Sequence, residues 1–309
     1  MKKIFLIFIA LVFYSTSVIA VEKMKFKYNF HENLPKKWIT EFENIMNIVQ
    51  EEFPINENTN TWVKREINRD KPFNIYLWLD TNKDPFPEFK KNGKKFIMNE
   101  SAIMGDGGGN TWMQMKVHKQ DLRENVSMSY YVVVHEYFHI YQKALSKLLK
   151  GSLSNYNPKW LVEGGATVLG NIYTRQYYGK DTLKSDIRDR KRWKFKKVTK
   201  EPHLYEKHKT SPHKGYDSNY AGSSFMLLAL VNELKKNNIS EEEAFELVFR
   251  EYWIQRSKQP FDNTYWRVTF KNTFGMTVTE FYERLSKYKR KDLKKILPSK
   301  TLKIQDIFS

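Results

Sequence analysis

The pentapeptide His135-Glu136-Tyr137-Phe138-His139 lies inside an apolar run from Val132 to Gln142, and nothing else in the chain restricts its fold so tightly. At 100° per residue, taking His135 as zero puts His139 about 40° and Glu136 about 100° round a helix, so the three share one face. The opposite side is apolar: Val133, Tyr137, Ile140, Tyr141, Ala144 and Leu148 fall within an arc of roughly 100°. A buried helix with one chemical face follows. Two imidazoles one turn apart can hold one metal ion, and a carboxylate beside them can take a proton from metal-bound water. The stretch reads as half of a zinc hydrolase site; the bland alternative is a chance H-E-x-x-H in a packing helix.

A zinc hydrolase needs a third protein ligand and leaves the fourth position to water. Trp160-Leu161-Val162-Glu163-Gly164-Gly165-Ala166 offers Glu163. The first helix is expected to run to about Lys150 and stop at Gly151. Residues Ser152 to Asn157 then let the chain return antiparallel, with Asn157 capping a helix that has Pro158 at its first position. On that path Glu163 comes back toward His135 and His139. Gly164 and Gly165 cost roughly 1 kcal/mol each against Ala in a helix, and a close approach of two helix backbones around one ion would account for them.

Together the two motifs resemble those of the gluzincin metallopeptidases, in which H-E-x-x-H on one helix is completed by a Glu on the next. Trp160 to Ala166 looks like the W-L-x-E-G-x-A signature of aminopeptidase N-type and collagenase-type members. The 23 residues between His139 and Glu163 exceed the spacing usual in aminopeptidase N relatives, and no subfamily follows. The resemblance implies one Zn2+ per chain on His135, His139 and Glu163, with Glu136 as general base. It also implies an α+β, thermolysin-like zincin fold. Residues 21–150 would form an N-terminal lobe with a small twisted sheet and the active-site helix, and 151–309 a mainly helical C-terminal lobe.

Elsewhere, Trp38, Phe42, Ile45, Met46, Val49 and Phe53 follow a helical period between Pro35 and Phe53. Phe73 to Asp80 reads as a strand ending at the Asp84-Pro85-Phe86-Pro87 turn, and Lys95–Met98 as a second. The glycine run Gly105 to Asn110 is the most permissive stretch of backbone; it lacks the spacing of a nucleotide-binding loop. Asn110 to Val117 alternates Met113, Met115 and Val117 against Trp112, Gln114 and Lys116, as a half-buried strand should. In gluzincins an edge strand before the active-site helix pairs with extended substrate, and resemblance suggests that role here; an ordinary sheet strand is the alternative. Ile97-Met98-Asn99-Glu100-Ser101 carries Asn and Glu in the wrong order for the amine-anchoring G-x-M-E-N of aminopeptidases, which points to an endopeptidase.

Past the second motif, Asp181 to Lys200 is charge-laden, with Trp193 and Phe195 as core anchors, and His203, His208 and His213 stand in a loop whose spacing fixes no ligand geometry. A helix opens at Tyr216. Gluzincins commonly place an oxyanion-binding Tyr at such a point, which makes Tyr220 the first choice and Tyr216 the second; either could instead be a core Tyr. Ser240 with Glu243, and Thr277 with Glu280, are capping boxes.

The chain has 309 residues, no Cys and a formal net charge of +18. Disulfides, thiolate metal sites and a Cys nucleophile are excluded. The basic excess is spread along the chain and reads as solvated surface, with an anionic cell envelope as the alternative partner; no nucleic-acid motif accompanies it. Lys2 and Lys3, the apolar run Ile4 to Tyr14 and the small residues up to Ala20 look like a signal peptide over 1–20, so a secreted or periplasmic protein is expected. The expectation is a monomeric zinc endopeptidase acting on polypeptide. Its rival is an inactive, basic gluzincin-like binding protein of the cell envelope.

Overall fold

The computed structural model describes residues 21–309 except 69, 71, 82–84, 87–101, 108–109, 125, 147–152, 189–194, 208–215 and 261. The expected signal segment 1–20, the strand at Lys95–Met98, Ile97 to Ser101, Gly151, Trp193, His208 and His213 lie outside the described residues.

Helix and sheet are mixed. Strand β1 (Phe26–Phe30) is followed by helices α1 (Lys36–Glu52) and α2 (Thr61–Asn68), then by β2 (Phe73–Leu79), β3 (Ala102–Gly107) and β4 (Asn110–Val117). A short α3 (Lys119–Glu124) leads into α4 (Val126–Ser146), which carries both histidines, and α5 (Lys159–Tyr178) carries Glu163. The remainder is helical: α6 (Leu183–Arg188), α7 (Phe195–Lys200), α8 (Tyr216–Lys235), α9 (Glu241–Glu246), α10 (Tyr252–Arg256), α11 (Trp266–Phe274), α12 (Val278–Ser286) and α13 (Ile304–Phe308). A π turn, Leu247–Glu251, joins α9 to α10. Helix α1 packs on α4, and α5 lies between α4 and α8. Among the described residues no helix is long and apolar enough to cross a membrane.

The period read between Pro35 and Phe53 becomes α1, with Trp38, Phe42, Ile45, Met46 and Val49 buried on one face. Trp38 Nε1 donates to Ser129 Oγ at 3.1 Å, which ties α1 to α4. Phe195 is buried against Phe225, as a core anchor should be. Both capping boxes form as read, on Ser240 and on Thr277.

The sheet order is β1-β2-β4-β3, with β1, β2 and β4 parallel and β3 antiparallel. This overturns the edge-strand reading of Asn110–Val117. Met113 pairs with Ile75 on one side and Met104 on the other, so β4 is internal and the edges of the sheet are β1 and β3. The half-buried pattern is corrected as well. Met113, Met115 and Val117 enter the main core, Trp112 packs with Trp78 and Phe86 in a second cluster, and even Gln114 is buried. Its alternation therefore sorts apolar side chains between two clusters. Gly105, Asp106 and Gly107 belong to β3, and Gly107 pairs antiparallel with Asn110 at the start of β4.

Asn157 does not cap α5. Its Nδ2 donates to the Leu153 carbonyl at 3.1 Å and its Oδ1 accepts from the Tyr252 hydroxyl at 3.0 Å. Pro158 takes the cap position with no side-chain cap. Proline suits the start of a helix because the N–H it lacks would have no intrahelical partner there.

Candidate metal centre

Helix α4 is buried on most sides through Val133, Val134, Tyr137, Phe138, Ile140, Tyr141 and Ala144. His135, Glu136 and His139 occupy the remaining side. The two imidazole rings stand edge to face, with centroids 4.8 Å apart. Their Nε2 atoms approach to 3.1 Å.

Glu163 reaches them because the start of α5 is fixed from outside. The Lys159 N–H donates to the Glu206 carbonyl at 2.8 Å. Trp160 Nε1 donates to the Tyr282 hydroxyl at 3.2 Å, which donates to Glu206 Oε1 at 3.0 Å. The buried Trp160 ring packs beside Phe270 and Phe281. The glycines after Glu163 serve two different neighbours. A Cβ on Gly164 would lie 2.6 Å from the Ser223 carbonyl oxygen of α8, whereas one on Gly165 would lie 3.0 Å from Phe138 Cε1 of α4. Only the second serves the contact between the two motif helices.

Glu163 Oε2 lies 3.5 Å from His135 Nε2 and 3.4 Å from His139 Nε2. In a tetrahedral site with metal–ligand bonds of about 2.0–2.1 Å, ligand atoms stand about 3.3 Å apart. The separations of 3.1, 3.4 and 3.5 Å bracket that value, so the three side chains fit one ion. Two neutral imidazole lone pairs facing each other at 3.1 Å repel, and a cation or a shared proton between them is the physical remedy. Among the described residues no second group of three such ligands occurs.

Both imidazoles are oriented from α4 itself. His139 Nδ1 is 2.9 Å from Gln142 Oε1, and Gln142 Nε2 donates to the Val162 carbonyl at 3.2 Å. His135 Nδ1 is 3.2 Å from the Tyr131 hydroxyl. Glu136 Oε1 lies 3.9 Å from His135 Nε2, beside the three ligands and outside their triangle. Burial raises the Glu136 carboxyl above its ordinary value, more than His135 and His139 pull it down. For Glu163 burial also pushes upward, but the adjacent His139 and His135 prevail and hold it well below the usual carboxylate range. Burial disfavours the His139 cation, yet Glu163 outweighs it and lifts His139 to about 9.

Next to the centre is a cavity of about 300 Å³, reached by His135, Glu136, Tyr131 and Tyr220 and walled by residues including Met115 and Val132. Tyr220 sits edge-on to His135 with ring centroids 5.8 Å apart. Tyr216 opens α8 one turn earlier, and its side chain is outside those described. His203 is exposed and is not part of the cavity wall.

The geometry thus brings together His135, Glu136, His139, Glu163 and Tyr220, all singled out in the sequence. Tyr131 and Gln142, the partners of the two imidazoles, were missed. Tyr131 and Gln142 stand at i−4 and i+3 from the two histidines, a spacing that could have identified them. Fold and site define a class: a mixed helix and sheet protein with a half-buried His-His-Glu centre and a carboxylate at its side. No protein-family model matches the chain, and neither curated proteins nor solved structures give a match.

Proposed function

We propose that this chain is a secreted zinc-dependent endopeptidase of the gluzincin type, with a thermolysin-like catalytic fold. The observation that carries the reading is the triangle of His135 Nε2, His139 Nε2 and Glu163 Oε2, with the Glu136 carboxylate beside it at the cavity. Two imidazoles and one carboxylate with an open fourth position are the donor set of catalytic zinc. A bound zinc ion would supply Lewis-acid activation of water and of the scissile carbonyl.

The chain's own groups do the rest. Glu136, whose basicity burial has raised, takes the proton of the attacking water and delivers it to the leaving nitrogen. Tyr220, at the cavity wall beside His135, donates its hydroxyl to the developing oxyanion. Since β4 is internal, an extended substrate would pair with the edge strand β3. A polypeptide is the substrate class, cut within the chain because the aminopeptidase anchor is out of order in Ile97 to Ser101.

The test is metal content of the purified protein, followed by digestion of an unstructured peptide with a free or an acetylated amino terminus. One zinc per chain and internal cuts indifferent to acetylation are expected. Glu136→Gln should keep zinc and fold while losing roughly 10²–10⁴ in rate. Stepwise removal of N-terminal residues, abolished by acetylation, would make the enzyme an aminopeptidase. Zinc binding with no cleavage of any peptide would favour an inactive binding protein.

A further inference from the structure

Tyr131 and His135 are one helical turn apart on α4, and the Tyr131 hydroxyl lies 3.2 Å from His135 Nδ1. A histidine that binds a metal through Nε2 carries its proton on Nδ1, and the acceptor of that N–H fixes the ring. Here the acceptor is a phenol. Its ring is backed by α5, where Gly170 passes so close that a Cβ would stand 2.8 Å from both Tyr131 Cδ2 and Cε2. No side chain fits at 170 without moving the ring. The other ligand, His139, has the Gln142 amide in the matching role.

We infer that Tyr131 is a positioning residue for the metal centre, holding His135 Nε2 on the ion, and that Gly170 exists to seat it. The inference rests on the metal-centre reading above. Both imidazole partners are neutral side chains of α4, the Tyr131 phenol and the Gln142 amide, and each is in turn held by α5, at Gly170 and at the Val162 carbonyl. A phenol withdraws less proton density from Nδ1–H than a carboxylate would. His135 is then a weaker donor, and the affinity depends on geometry more than on charge.

The experiment compares wild type, Tyr131→Phe, Gly170→Ala and, as a control, Tyr130→Phe, whose ring stacks on Tyr178 with centroids 5.1 Å apart. Zinc affinity is measured by competition with a chelator, the ligand field by the visible spectrum of the cobalt-loaded protein, and folding by melting of the metal-free chains. Tyr131→Phe should weaken zinc binding about 10–100-fold and shift the cobalt spectrum, with the metal-free melting temperature little changed. Gly170→Ala should reproduce the loss with the hydroxyl still present. Should that variant fail to fold, Tyr131→Phe alone decides.

Wild-type zinc affinity and cobalt spectrum in Tyr131→Phe would overturn the inference and leave the metal centre standing. An equal loss in Tyr130→Phe would also overturn it, since any Tyr on α4 would then do. A wild-type chain without zinc affinity would overturn the metal-centre reading itself, and the role of Tyr131 with it.

Discussion

In the metal-free protein His139 and Glu163 hold each other's charge, and this sets a pH dependence with a definite sign. His139 is lifted to about 9 because Glu163 outweighs the burial that would lower it. A raised folded pKa gives stability that is complete below the unfolded value, about 6.5, and is lost as pH climbs toward 9. Glu163 is depressed, so its share is present above the unfolded value, about 4.3, and is lost as pH falls. The contribution of the pair is therefore greatest between those two unfolded values. At about 1.4 kcal/mol per pKa unit, on the order of 3 kcal/mol disappears on the alkaline side. Melting temperatures of metal-free protein from pH 5 to 10 should show that decline, and saturating zinc should remove it, because metal binding displaces the proton. A metal-free melting temperature flat from pH 6.5 to 9 would refute the coupling. At the cavity wall, Tyr220→Phe should lower turnover roughly 10²–10³-fold with substrate affinity little changed. Loss of stability with intact activity would make Tyr220 a packing residue and turn attention to Tyr216. His135, Glu136 and His139 were legible because a helix fixes the i, i+1 and i+4 directions without help. Gly170 was not, since its role arises only from how closely α5 crosses α4.

Among the elements, α5 bears the strongest steric constraint. Gly164 faces backbone: its added Cβ would meet the Ser223 carbonyl oxygen at 2.6 Å and carbon at 2.9 Å, which only a shift of α5 against α8 can relieve. Gly165 faces side chains, Phe138 at 3.0 Å and Gln142 at 3.3 Å, which can give way more easily. Gly164→Ala should therefore destabilise by about 1–3 kcal/mol, the usual cost of overpacking, and Gly165→Ala by less. Chemical denaturation ranks the two, and the reverse order would show that α5 leans on α4 more than on α8. Helices α1 and α8, strand β2 and the caps at Ser240 and Thr277 could be read from the sequence, because period and cap residues act locally. Strand β1, five residues long, and α2, whose buried anchors are Val63 and Ile67, were missed. Both draw their order from partners distant in sequence: β1 pairs in parallel with Phe73 to Leu77. The same limit explains β4. Its alternation identifies a strand, but the number of its neighbours is decided by β3, which pairs antiparallel along its outer side.

At the scale of the whole molecule the C-terminal helix α13 closes on the apolar back of α4. The main core runs without a break from Met24 to Ile307. At its far end Phe308 of α13 stacks on Phe53 with centroids 4.7 Å apart and meets Tyr141 edge-on at 5.8 Å. Around it, Gln305 donates to Glu52 Oε1 at 2.6 Å and accepts from Gln176 Nε2 at 2.8 Å. A helix of five residues thus joins the end of α1, the apolar back of α4 and the later turns of α5. Tyr141 lies two residues past His139 but on the opposite side of α4, so the stack supports the helix without touching the ligands. Phe→Ala in a full core costs about 3–5 kcal/mol; Phe308 is only half-buried, and Phe308→Ala should cost about 2–3 kcal/mol. At about 2–4 °C per kcal/mol for chains of this order of size, melting should fall by about 4–12 °C. Zinc affinity should stay within about threefold of wild type, since His135, His139 and Glu163 take their orientation from Tyr131, Gln142 and the Trp160 end of α5. Melting and chelator competition on the same preparation separate the two effects. An unchanged melting temperature would mean that α13 is a passive cover, and a large loss of zinc affinity would mean that the back of α4 transmits strain to its chemical face.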